Sequence, residues 1–192
     1  MKDSRRRKPA RRQATTLSRR PALCAALKGI RLFLCDVDGV LTDASVFIGG
    51  AEEIKRFNIQ DGLGLMALRR QGVKVGWISS RPSPATVRRA RELKIEFLRQ
   101  EKGSKVNVVE RFLAQTGLGW DEVCYMGDDI VDLGAKRRVG VAVAVANGVA
   151  EAHAAADYIT RACGGHGAVR EVAELILQAQ GKWACVVAES AA

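Results

Sequence analysis

Residues 30–43 read IRLFLCDVDGVLTD. The first six are almost all apolar, as expected of a short strand covered on both faces. The run then breaks into Asp36, Val37, Asp38 and Gly39. Side chains two apart in an extended segment point the same way, so Asp36 and Asp38 are expected to serve one place. A buried strand that stops on two carboxylates and a glycine predicts a site at the carboxyl edge of a sheet.

The rest of the chain repeats this rhythm. Short apolar runs at 73–78, 95–98, 123–126 and 139–143 are strand candidates, and the segments 63–71, 85–94, 104–116 and 130–138 carry helical spacing between and after them. Strand and helix in alternation predict a doubly wound α/β fold with a parallel sheet. One segment departs from the alternation. Residues 46–59, VFIGGAEEIKRFNI, predict a β-hairpin flap about Gly49 and Gly50. Near the end, CGGHGAVREVAELILQAQGKW is a glycine-rich loop that leads into an amphipathic helix.

The chain of 192 residues fits one domain. The net charge of +10 is uneven: residues 1–20 hold nine Lys or Arg against one Asp, which is +8 and leaves +2 for residues 21–192. The expected division is a basic, disordered extension over 1–28, a catalytic domain over 29–183 and a tail over 184–192. Such an extension makes nonspecific contacts with polyanions at most, and an Arg-rich start also resembles an organelle-targeting peptide. Five scattered cysteines without a CxxC pair suit neither a disulfide framework nor zinc, and fit a reducing cytoplasm. No unbroken apolar stretch is long enough for a membrane helix, and the start lacks the apolar core of a secretory leader.

The polar residues gather where strands end. The second strand candidate runs into Ser79, Ser80 and Arg81, the fourth into Gly127, Asp128 and Asp129, and Lys105 stands at a helix start with Ser104 as its cap. A lysine there opposes the helix dipole unless an anion is near. Asp36, Asp38 and Asp128, with Asp129 and Asp132 in support, would repel one another without a cation. Oxygen ligands with no histidine or cysteine among them select Mg²⁺. With a lysine, a hydroxyl and an arginine added, the set suits phosphoryl transfer. Asp36 is the candidate nucleophile, Asp38 the acid and base, and Ser79 and Lys105 the holders of the transferring group. Two other classes compete. A phospho-accepting receiver places its acidic pair before the accepting Asp, whereas Asp128 and Asp129 come after; a polyanion binder would rest on the basic start alone.

These motifs resemble the haloacid dehalogenase superfamily of phosphohydrolases: DVDGVLTD at 36–43, Ser79 in WISSR, Lys105, and GDDIVD at 127–132. Only the hairpin and short elements separate the motifs, so no cap domain is present. With FNIQDGLG, ISSRPS and ITRACGGHGAVREV, the chain resembles the capless 3-deoxy-D-manno-octulosonate 8-phosphate phosphatase family. The resemblance implies release of phosphate from the sugar acid for lipopolysaccharide synthesis, with Mg²⁺, in a cytoplasmic homotetramer whose sites lie near subunit contacts. Sibling enzymes act on nonulosonate 9-phosphates. It also implies that Arg81, Asp61, Gly62 and Arg170 contribute to substrate binding. Without the family, Asp61 reads equally as a helix cap, and Arg170 as the partner of Glu174. Ser80 stands where the family pattern has glycine, and Lys102 competes with Lys105, whose place at a helix start favours it.

Overall fold

The apolar run after Ile30 forms β1 (Leu32–Cys35), near the middle of a six-stranded sheet. A computed structural model describes residues 20–47 and 53–191. The chain order is α1 (Arg20–Lys28), β1, α2 (Ile59–Arg70), β2 (Lys74–Ser79), α3 (Pro84–Glu92), β3 (Phe97–Gln100), α4 (Lys105–Thr116), β4 (Val123–Gly127), α5 (Leu133–Lys136), β5 (Val141–Ala144), α6 (Ala150–Ala154), β6 (Tyr158–Ile159), α7 (Ala168–Ala179) and α8 (Trp183–Ala191). The strands lie in the order β3-β2-β1-β4-β5-β6, and every pairing is parallel.

The strands are apolar throughout because both faces are covered. Phe33 and Cys35 of β1 point to one side, where they pack with Leu65 and Leu68 of α2 and Val172 and Ile176 of α7. Leu32 and Leu34 point to the other, toward Val108 and Phe112 of α4 and Ala135 of α5. Cys35 and Cys124 are buried in the first of these cores, and all five cysteines are free thiols.

The structure moves several expected boundaries. Residues 20–28, assigned to the extension, form α1, whose Leu27 is buried in the core with Leu23 and Ala26 packed on it. The basic start masks that apolar stripe in any average over the first residues. Residues 184–191 are likewise helical, within α8, and Trp183 and Val186 pack on the core. The third strand starts two residues later than expected, after Lys94 adopts a left-handed φ of 53° and Ile95 N–H bonds back to Ala90 O at 2.9 Å. Segment 130–138 is a 3-10 turn (Ile130–Asp132) followed by the short α5.

The Gly49-Gly50 turn of the expected flap lies outside the described residues. Among the described residues its two sides meet at an antiparallel bridge, Phe47 to Ile54. Glu53 and Lys55 turn inward to side chains of the body.

Candidate active site

Strand order reverses on either side of β1 and β4, and open α/β sheets bind ligands beyond the carboxyl ends at such a point. Register decides what meets there. Cys35 pairs with Met126, and the Asp36 N–H donates to Met126 O at 2.9 Å, so the chain leaves β1 beside Gly127 and Asp128. Gly39 then turns with φ at 88°, and a side chain there would collide with the Asp128 carboxylate. The first and fourth motifs are pressed together at that glycine.

Lys105 opens α4 and sends its ammonium inward. Its Nζ lies 2.6 Å from Asp36 Oδ2 and 2.6 Å from Asp132 Oδ1. Burial works against this cation, but the two carboxylates outweigh it and hold its pKa above the ordinary lysine value. Lys102 is exposed, so the geometry gives the inner position to Lys105. Ser104 occupies the cap position of α4 without a capping bond from its side chain.

Asp132 is completely buried and fully satisfied. One oxygen accepts from Lys105 and from the Tyr125 hydroxyl at 2.7 Å; the other accepts from the N–H groups of Asp128 at 3.1 Å and Asp129 at 3.2 Å. It anchors the 127–132 loop. Asp128 contrasts with it, because its Oδ1 is buried with no hydrogen-bond partner. Oxygens of Asp36, Asp128 and Asp132 lie within 4.8 Å of one another. Burial, with Asp132 adding to it against the pull of Lys105, pushes the Asp36 carboxyl up to about 7. Burial and then Asp132 push Asp128 to about 6. With Asp132 saturated, Asp36 and Asp128 are the carboxylates left to face a cation. An all-oxygen pair with one orphaned lone-pair donor fits Mg²⁺, which takes one or two carboxylates and keeps waters.

The Asp38 side chain, expected beside that of Asp36, lies apart from the cluster of Asp36, Asp128 and Asp132. The chain bends at residues 37–40 instead of staying extended, so the two side chains diverge. Asp38 Oδ1 accepts from Lys55 Nζ at 2.7 Å, and Oδ2 lies 3.6 Å from Arg81 Nε. Ser79 is buried at the end of β2, where its hydroxyl donates to Arg81 O at 3.0 Å and accepts from Arg81 N at 3.1 Å. Arg81 pairs with Glu53 at 2.8 Å and keeps Nη2 buried without a partner. Ser80 fits without strain: outside glycine, only Ala44 and Lys94 among the described residues have positive φ. Asp129 is exposed and accepts from Ile130 N–H at 2.6 Å.

Comparison with known proteins follows the same lines. Residues 75–171 match the family model for haloacid dehalogenase-like hydrolases. The 3-deoxy-D-manno-octulosonate 8-phosphate phosphatase of Escherichia coli is 38% identical over 82% of this chain and 85% of its own length. The structure of the phosphatase so named from Moraxella catarrhalis, in complex with magnesium, phosphate and KDO, is 39% identical and superposes with a TM-score of 0.85 over 88% of this chain and 97% of that one. The enzyme so named from Yersinia pestis is 38% identical, with a TM-score of 0.82 over 84% and 88%. The chain belongs to this haloacid dehalogenase-like phosphatase family.

For a member of the phosphatase family, the remaining expected residues occupy distinct places. Asp61 is buried in the first turn of α2, a helix capped by Asn58. Its carboxylate accepts from the N–H groups of Arg170 at 2.8 Å and Gly167 at 3.3 Å, so it caps the start of α7 from across the core. Burial raises its pKa despite those donors. Gly62 is buried against the Arg89 guanidinium. Arg170 Nε meets Glu174 at 2.6 Å, and its guanidinium lies over the Trp183 ring. The loop before α7 does reach the site: Gly165 N–H donates to Val40 O at 2.9 Å, and a side chain at Gly164 would strike Gly39 O. Sequence reasoning missed Glu53, Lys55 and Tyr125. Tyr125 is hidden in an apolar strand, and the alternation in Glu53-Ile54-Lys55 was the available signal for the other two.

Proposed function

We propose that this chain is a Mg²⁺-dependent phosphomonoesterase that hydrolyses 3-deoxy-D-manno-octulosonate 8-phosphate to the free sugar acid and phosphate, a step of lipopolysaccharide synthesis. The observation that carries this reading is Lys105, buried between Asp36 and Asp132 and beside the orphaned oxygen of Asp128. Cation and carboxylates are held there in one place before any ligand arrives, as transfer of a charged group requires. Identity of 39% to an enzyme whose structure holds magnesium, phosphate and KDO supports the substrate.

In this mechanism Asp36 attacks phosphorus, and the ester P–O bond breaks with its electron pair going to the sugar oxygen. Asp38 gives that oxygen a proton and releases the alcohol. Asp38 then takes a proton from water as the water attacks the aspartyl-phosphate, the P–O bond to Asp36 breaks, and the Asp36 carboxylate and phosphate are regenerated. Asp36 and Asp128 would hold Mg²⁺, which when bound supplies positive charge against nucleophile and phosphate. Lys105 and Ser79 hold the phosphoryl oxygens, and Arg81, with one buried nitrogen unpartnered, is directed to an anionic part of the substrate. Asp61, Gly62 and Arg170 support the substrate side through the loop before α7, and Asp129 and Asp132 support the metal side.

A domain over 29–183 carries the chemistry, flanked by α1 and α8, in a cytoplasmic homotetramer. Exposed Val46, Phe47 and Ile54 on the flap, with Ile59 and Leu63 of α2, support assembly. Free thiols, and no helix among the described residues long and apolar enough to cross a membrane, fit that setting. The test is a phosphate-release screen over sugar phosphates with Mg²⁺. The eight-carbon acid phosphate is expected to be the best substrate, with release abolished by chelation and by Asp36→Asn in a folded protein. Faster release from a nonulosonate 9-phosphate would move the assignment to that sibling activity, and full rate in excess chelator would remove the metal.

A further inference from the structure

Glu53, Ile54 and Lys55 leave the flap bridge in an extended conformation, and their side chains alternate. Ile54 faces out and is 64% exposed, whereas the Lys55 side chain is only 1% exposed. A buried ammonium needs partners. Lys55 Nζ donates to Asp38 Oδ1 at 2.7 Å and to Thr86 Oγ1 at 3.3 Å, with Glu53 Oε1 3.9 Å away. Glu53, on the same side of the segment, accepts from Arg81 Nη1 and from the Ser83 hydroxyl.

Asp38 is thus held by two cations, each on a different oxygen and each from a different segment. Among the described residues no N–H or hydroxyl fixes this carboxylate. The contact from Lys55 also has a chemical consequence. Lys55 occupies Oδ1 with a hydrogen bond at 2.7 Å, whereas Arg81 Nε lies 3.6 Å from Oδ2, too far for one, so Oδ2 is the oxygen left to carry a transferable proton. Oδ2 is the oxygen on the side of Arg81, which the proposed mechanism directs to substrate.

We propose that Lys55 is a positioning residue for Asp38, selecting Oδ2 as the oxygen that protonates the leaving alcohol. This rests on the phosphatase reading above. It ties the role of Lys55 to esters whose leaving group needs a proton. A sugar hydroxyl is such a group, since its oxygen takes the electron pair of the broken P–O bond together with the proton of Asp38. A nitrophenol leaves as the stable phenolate and needs none.

The experiment compares two esters in a single turnover by rapid quench, using the full chain with Mg²⁺. One is 3-deoxy-D-manno-octulosonate 8-phosphate, the other p-nitrophenyl phosphate. Lys55→Met is expected to slow release of the sugar acid by about 100-fold, the low end of what general acid catalysis contributes, and to change p-nitrophenolate release and the sugar-phosphate KM by less than about threefold. Lys55→Arg, which restores a cationic donor, should recover most of the sugar-phosphate rate. The ratio of the two rates does not depend on the folded fraction, and Lys55→Gln provides a second variant for the same ratio. Equal slowing on both esters, a loss confined to KM, or no slowing would each overturn the proposal. Wild-type protein that releases phosphate from neither ester would instead refute the phosphatase reading.

Discussion

Replacing Lys105 by methionine removes the one cation that separates two buried carboxylates. At 2.6 Å from each oxygen and an effective dielectric of about 20, each attraction is on the order of 6 kcal/mol, offset by several kcal/mol for stripping water from the ammonium. Losing one partner from such a buried cluster costs roughly 3–5 kcal/mol, because the remaining charges stay buried and uncompensated. For a protein of this size that is a fall of about 6–20 °C in Tm. The cost should depend on pH. Asp36 has a carboxyl already pushed up to about 7, and without Lys105 it moves higher still. Near pH 6 the variant therefore relieves the repulsion by keeping a proton on Asp36, and near pH 8 it loses that relief at least in part, so the destabilisation is larger at about pH 8. Urea unfolding in the presence of a chelator measures both values, read as a lower midpoint at unchanged slope. Asp132→Asn added to Lys105→Met should recover part of the loss, since the two residues share one network. A cost below about 1 kcal/mol, or the same cost at both pH values, would refute a buried ion cluster held by Lys105.

Two further outcomes follow from the same cluster and from Asp61. The folded pKa values of Asp36 and Asp128, about 7 and about 6, lie above the ordinary carboxyl value of 3.8. Their contribution to stability is therefore complete below about pH 4 and is lost as pH rises through about 6–7. Mg²⁺ binds the ionised pair, so its gain in Tm should be small near pH 5 and large near pH 8 by thermal shift, and an equal gain at both would count against these two ligands. Asp61→Ala should cost about 1–2 kcal/mol in urea unfolding through the lost cap on α7. Unchanged stability with a raised KM would instead assign Asp61 to the substrate.

Much of the site could be read from the chain because its signals are local. The order of Asp36, Ser79, Lys105 and Asp128 at successive strand ends and a helix start depends only on apolar runs and the polar residues that stop them, and the structure brings Asp36, Lys105 and Asp128 together. Asp132 was harder to rank. Its importance comes from four donors on one carboxylate: Lys105, the Tyr125 hydroxyl within β4, and two N–H groups of the loop that follows that strand. Lys55 left no signal beyond alternation, since a lysine in a flap ordinarily stays in water.

The sequence by itself determined the alternation of strand and helix, the parallel sheet and the edge at which the polar residues gather. Those follow from hydrophobic periodicity, which is set residue by residue. The tertiary structure alone decided where each charge points. Asp36 and Asp38 are neighbours in the chain but part company at a bend, one toward Lys105 and the other toward Lys55 and Arg81. Asp61 meets the start of a helix more than a hundred residues away. A carboxylate is oriented by the donors and cations that surround it in space, and the order of residues along a strand does not contain that information.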